Sequence, residues 1–190
     1  MPADASTSSG FVRDPRHAFS YEVRPSPALD AELRAIAHRL DADGLLRPGA
    51  STAPRFHPHL TFLRAAVAVD AAARAAAQAL TARGIDVAFT SVDVFGAGRI
   101  VYVQPFDRAP LDAARAQLLS HIDDAELDPL ALDRELTPHV TLAYAVPEDH
   151  RAAARAQVEA ALPIEGMWGA LEVWSLDERP TRRVARVPLG

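Results

Sequence analysis

A five-residue pattern occurs twice in the chain, as Pro58-His59-Leu60-Thr61-Phe62 and as Pro138-His139-Val140-Thr141-Leu142, with the histidines 80 positions apart (139 − 59). Other landmarks keep nearly the same spacing. Ser91-Val92-Asp93-Val94-Phe95 matches Ala170-Leu171-Glu172-Val173-Trp174 at an offset of 79 (174 − 95), and Tyr21 and Val23 ahead of Pro25 resemble Tyr102 and Val103 ahead of Pro105. A repeat of this kind means structural pseudo-symmetry. The expected fold is therefore α+β and bilobal, duplicated about a pseudo-two-fold. Each lobe would be an antiparallel sheet with helices on its outer face, and a central cleft would lie between the lobes.

Hydrophobic periodicity fills in one repeat as strand, helix, motif strand, helix and hairpin. A strand is expected over His17–Val23, and the stripe Leu29, Leu33, Ile36, Ala37, Leu40 predicts a helix over Ala28–Leu40. The first motif strand runs His59–Leu63, an Ala-rich helix Asp70–Arg83 stops at Gly84, and strands Ile85–Phe95 and Arg99–Val103 form a hairpin through Gly96-Ala97-Gly98. The order then starts again, with a helix Pro110–Ile122, the second motif strand His139–Ala145, a helix Asp149–Leu162 and a hairpin Gly169–Leu176 with Arg182–Val187 around Asp177-Glu178-Arg179-Pro180. Loops Asp43–Phe56 and Asp123–Pro138 precede the motif strands and are candidate cleft walls. Residues 1–16 read as a disordered tail and 17–190 as one bilobal domain whose halves share strands.

In a strand, residues two apart face the same way. Each motif thus presents its His and Thr together, while Leu60, Phe62, Val140 and Leu142 turn toward a core. Facing each other, the motifs supply a general acid, a general base and two hydroxyl donors for an oxyanion, which suits phosphodiester chemistry. A lone His on a strand is more often structural than catalytic; the in-register second copy argues for catalysis by His59, Thr61, His139 and Thr141. Phe62, Arg64 and Tyr144 beside the motifs are candidate substrate-binding residues, with Arg55, Arg134, Arg182 and Arg183 as further local cations. His57-Pro58-His59 also reads as half of a zinc site, but Thr137 stands where the second half would need its histidine, so no metal is expected and His57 belongs at the rim. His17, His38, His121 and His150 read as surface or helix-face residues, and Phe89, Phe95, Trp168 and Trp174 as core.

Composition narrows the chemistry further. All 20 basic residues are arginine, so enzymes that need a lysine nucleophile or a Walker lysine are excluded. Cysteine is absent too, which removes disulfides, thiolate metal sites and cysteine nucleophiles. A formal charge of −5 disfavours wrapping a long nucleic acid but admits a small anionic substrate or the end of an RNA strand. The first ten residues lack the basic-then-apolar order of a secretory signal, and no apolar run approaches the ~20 residues a bilayer span needs. The expected setting is the cytoplasm, as a monomer with no cofactor, no membrane contact and no obligate protein partner.

With its two H-x-T-x strands and the bilobal order of elements, the chain resembles the 2H phosphoesterase superfamily, typified by LigT-like bacterial 2′-5′ RNA ligases and RNA 2′,3′-cyclic phosphodiesterases. The resemblance covers nearly everything from His17 to Leu189. It implies that His59, Thr61, His139 and Thr141 line one central cleft and cleave 2′,3′-cyclic phosphates of RNA or nucleotides without a metal; the reverse reaction would be 2′-5′ ligation. The chain departs from the LigT-like pattern at Phe62, where a Leu commonly closes the motif, and at Ala143-Tyr144, where a basic residue is expected. Alternatives are a 2H relative acting on 2′-5′ oligoadenylate or an ADP-ribose-derived cyclic phosphate, and a nucleotide- or RNA-binding module without turnover.

Overall fold

The computed structural model describes residues 15–47, 57–96, 99–133, 135–177 and 180–190. A 3-10 turn at Pro15–His17 leads into β1 (Phe19–Pro25), α1 (Pro27–Ala42), β2 (Leu60–Ala65), α2 (Asp70–Arg83) and β3 (Asp86–Phe95). The second half follows as β4 (Ile100–Pro105), α3 (Ala109–His121), α4 (Pro129–Asp133), β5 (Val140–Ala143), α5 (Arg151–Glu159) and β6 (Ile164–Ser175), and β7 (Arg182–Pro188) closes the chain. The sheet order is β2-β1-β6-β3-β4-β5, with β7 also on β6. Exchanging β1 with β4, β2 with β5 and β3 with β6 leaves that order unchanged, which is the two-fold written into the repeated sequence. All pairings are antiparallel.

The halves interlace. β6 of the second repeat pairs with β1 of the first, and β3 with β4, while β3 and β6 pair with each other over Asp86–Phe89 and Ile164–Met167. The helices mix in the same way, α2 packing on α3 and α1 on α5. Alanine allows the first of these contacts, since Ala72, Ala73, Ala76 and Ala77 of α2 and Ala114 of α3 are buried and let the backbones approach closely. The stripe Leu29, Leu33, Ile36, Ala37 and Leu40 is the buried face of α1, and Pro27 occupies its first turn, where a missing N–H costs nothing. Helix α2 stops at Gly84, whose φ of 111° a side chain would resist. Tyr21 is fully buried; its hydroxyl donates to Val67 O (3.1 Å) and accepts from Val69 N–H (2.7 Å), fixing the chain between β2 and α2.

Several expected boundaries move. Strand β6 starts five residues before the predicted Gly169 (169 − 164), because its glycines serve close packing rather than a turn. A Cβ on Gly166 would lie 2.9 Å from Leu29 Cβ, and one on Gly169 3.0 Å from Pro25 O. The last helix is shorter than Asp149–Leu162: a 3-10 turn at Glu148–His150 precedes it, and Pro163 disfavours helical backbone just before it. Segment Asp123–Pro138 is more than a loop. Asp123 caps the 3-10 turn Asp124–Glu126 by accepting from Ala125 N–H, and Asp128 accepts from Leu130 N–H at the start of α4. Most of Met1–Arg16, positions 48–56 of the first loop, Ala97-Gly98 and Glu178-Arg179 lie outside the described residues. Among the described residues no helix is long and apolar enough to cross a membrane.

The contact of α1 with β6 is testable. Gly166→Ala should overpack the site against Leu29 and cost about 1–3 kcal/mol of stability, read as a lower midpoint in urea unfolding.

Candidate active site

The two motif strands occupy equivalent places. Thr61 of β2 lies opposite Glu22 of β1, and Thr141 of β5 lies opposite Tyr102 of β4. Leu60, Phe62, Val140 and Leu142 are buried, so Thr61 and Thr141 face the other way, into the cleft. The histidines precede the strands, and both are held alike. His59 Nδ1 is 2.7 Å from the His57 carbonyl oxygen, and His139 Nδ1 is 2.7 Å from that of Thr137. A carbonyl only accepts, so each Nδ1 carries the hydrogen and each Nε2 is left for chemistry.

Two adjoining cavities share His59, Thr61, Arg64, Thr141 and Tyr144. The first, about 340 Å³, extends toward β1 and β6 along Glu22, Arg24, His57 and Trp174. The second, about 370 Å³, extends past His139 to Arg115, Asp128 and Glu135. All four motif side chains thus line one continuous cleft, and the segment before the second motif is its wall. Arg64 and Tyr144, which occupy matching positions in the repeat (144 − 64 = 80), stand at its rim, Tyr144 being 41% exposed. Phe62 borders the second cavity but is only 3% exposed and belongs to the core, so the expected substrate contact by its side chain is corrected: period-two alternation turns it away from Thr61.

The surroundings of the two imidazoles differ. Glu22 Oε1 lies 3.8 Å from His59 Nε2. His139 instead meets rings, with its centroid 5.1 Å from that of Tyr102 and 4.9 Å from that of Phe95, which themselves stack at 4.0 Å. Burial pushes the His139 pKa down, its bond to Thr137 O opposes this, and the nearby charge of His59 adds to the depression. His57 is also pushed down, first by burial and then by the Arg24 and Arg34 guanidiniums, and its Nδ1 accepts from Arg34 Nη2 at 2.8 Å. Among the described residues no three His, Asp or Glu side chains are grouped to hold a metal ion.

Several site residues escaped the sequence reading. Trp174 and Phe95, expected in the core, line the cleft or touch its histidine, whereas Trp168 and Phe89 do pack inside, edge to face at 5.9 Å. Buried Glu172 organises the first cavity. It accepts from Trp174 Nε1 (3.0 Å) and Arg183 Nη1 (2.8 Å), and lies 3.5 Å from Arg24 Nε, whose guanidinium sits 5.6 Å from the Trp174 ring centre. Arg183 is therefore a structural cation, while Arg55 and Arg134 lie outside the described residues. A readable signal for Glu22 and Glu172 existed: each is a carboxylate between two apolar neighbours in a strand, in Tyr21-Glu22-Val23 and Leu171-Glu172-Val173. His17, expected at the surface, joins Asp128 at 2.8 Å and ties the first turn to the second cavity wall.

The chain belongs to the 2′-5′ RNA ligase superfamily, whose sequence model matches residues 25–180. Among solved structures it is similar to a phosphoesterase (15% identity, TM-score 0.54) and to E. coli LigT complexed with 3′-AMP (18% identity, TM-score 0.50). Each alignment covers 91% of this chain and 98% of the other. At these identities the likeness is one of fold. No curated protein matched the chain by sequence.

The ring cage around His139 has a spectroscopic consequence. In an NMR titration its imidazole should protonate at lower pH than an ordinary histidine (about 6.5), leaving it neutral at pH 7.

Proposed function

We propose that the protein is a metal-independent phosphodiesterase that hydrolyses 2′,3′-cyclic phosphate ends of RNA or nucleotides by general acid–base catalysis with His59 and His139. The observation that carries this reading is the matched anchoring of the two histidines. Both Nδ1 atoms are bound to a carbonyl two residues back, which leaves both Nε2 atoms beside one cleft, that of His59 3.8 Å from Glu22 Oε1. One neutral imidazole removes a proton from the attacking water, and one protonated imidazole gives a proton to the departing ribose oxygen. Thr61 and Thr141 donate to the non-bridging phosphate oxygens, on which charge grows in the transition state. Neither hydroxyl is engaged by a protein group among the described residues.

The cavities, of about 340 and 370 Å³, are of small-ligand size. That scale and the net charge of −5 favour a nucleotide or a strand end over a long duplex. In this reading Arg64 at the rim meets the phosphate and exposed Tyr144 a base or sugar, which their shared lining of both cavities supports. Run backwards, the same proton transfers would join a cyclic end to a hydroxyl, but bulk water favours hydrolysis by mass action.

The test is turnover of a nucleoside 2′,3′-cyclic phosphate. His59→Ala and His139→Ala should each lower kcat by ~10²–10⁴ with an unchanged circular-dichroism spectrum, and either variant working at the parent rate would rule the mechanism out. Thr61→Ala and Thr141→Ala should each cost up to ~10²–10³ in kcat. A chelator should leave the rate unchanged; loss of activity restored by Zn²⁺ would support a metallohydrolase instead.

A further inference from the structure

Away from the cleft, the surface over the central ladder of β3 and β6 carries two large apolar side chains in water. Phe106, just after β4, is 80% exposed, and Met167 of β6 is 47% exposed. Both line a cavity of about 600 Å³ rimmed by the exposed carboxylates of Asp86, Asp107 and Glu165. None of these residues lines either cavity of the cleft. We infer that this face is a docking site for a partner protein, which presents a segment of arginine or lysine alternating with apolar side chains. The inference holds whatever the cleft hydrolyses.

The pseudo-two-fold shows that the fold does not need the phenyl ring. Phe106 N–H donates to Ala88 O (2.8 Å), and Ser26 N–H donates to Met167 O (2.8 Å). These two links are mates in the repeat, at offsets of 80 (106 − 26) and 79 (167 − 88). The first half thus makes the same backbone connection with a serine, while the second sets an aromatic ring beside an exposed methionine. Aromatic residues and Met are the apolar side chains enriched at protein interfaces. The floor beneath them is already bonded, since Asp86–Phe89 pair with Ile164–Met167 and Trp168 N–H donates to Ile85 O (2.8 Å). A partner therefore cannot join here as an extra strand and must bind through its side chains.

Charge selects that partner. Among the described residues no basic side chain lines the cavity, and no cation pairs with Asp86, Asp107 or Glu165; Asp107 accepts only from Ala109 N–H (2.9 Å). A rim of three carboxylates repels nucleic acid and anionic lipid. It also disfavours a second copy of this chain, whose net charge is −5. A cationic segment is complementary at every point. Its guanidinium groups meet the carboxylates and lie over the Phe106 ring, and its aliphatic parts cover Met167.

The experiment is an NMR titration of the isotope-labelled protein with the peptide Arg-Leu-Arg-Leu-Arg-Leu. The amide signals of Ala88, Phe106, Asp107 and Met167 should move together, and added salt should weaken binding as it screens the rim. Phe106→Ser, which installs the residue of the first repeat, should keep the circular-dichroism spectrum and weaken binding by about 10-fold or more. Glu165→Lys should weaken it comparably. Arg-Gly-Arg-Gly-Arg-Gly should bind much more weakly, and Glu-Leu-Glu-Leu-Glu-Leu should move none of these signals. Shifts scattered over the whole acidic surface, equal binding of the Arg-Gly peptide, or unchanged affinity in Phe106→Ser would overturn the proposal. Should Phe106→Ser fail to fold, Glu165→Lys and the peptide comparison decide. A concentration-dependent dimer in sedimentation that Glu165→Lys or Phe106→Ser abolishes would make a second copy the occupant and refute the cationic partner.

Discussion

The site depends on four residue pairs far from any functional group. Asp86 to Phe89 of β3 run antiparallel to Ile164 to Met167 of β6, and this short ladder joins the two repeats into one sheet. Because β3 then continues beside β4 and β6 beside β1, each repeat lends its last strand to the other. The motif strands β2 and β5 hang on β1 and β4, at opposite ends of the strand order. Their separation across the cleft is therefore set by backbone hydrogen bonding through six strands rather than by side-chain contacts between the histidines. A one-residue slip in the central ladder would turn every side chain on it to the wrong face, so the register is strongly specified.

Within that frame the chemistry needs little from each half. One backbone carbonyl fixes an imidazole tautomer, and one period-two alternation delivers a threonine beside it. Both devices are local and were duplicated intact. What differs lies on neighbouring strands: Glu22 against Tyr102, and Trp174 held by Glu172 against Phe95 stacked on Tyr102. Duplication supplied two equal groups, and divergence beside them makes their surroundings unequal.

How much of this was legible follows the range of each interaction. Helix α2 coincides with the predicted Asp70–Arg83, since an Ala-rich run closed by Gly84 is decided locally. The motif His and Thr were readable because their signal was repeated in register. The start of β6 was not readable, because Gly166 and Gly169 look like turn residues until Leu29 and Pro25 are seen pressing on them. Trp174 was misread for a related reason. An indole in a strand reads as core, and only the buried Glu172, two residues away on the same strand, and the guanidinium of Arg24, brought from β1, hold it at the cleft. Phe62 was read both ways, and its packing resolves in favour of the interior.

Among the described residues, strand β7 has no spatial counterpart beside β3. It lies along Ala170–Ser175 of β6 and brings Arg183 and Arg186 to Glu172. An unadorned duplicated frame would present identical ends to a bound molecule, which could then enter head-first or tail-first with equal ease. With the extra strand, one end is furnished with an anchored indole and cations, and the other with Arg115, Asp128 and Glu135. The groove thereby acquires a polarity, and a ligand turned end for end meets a different surface.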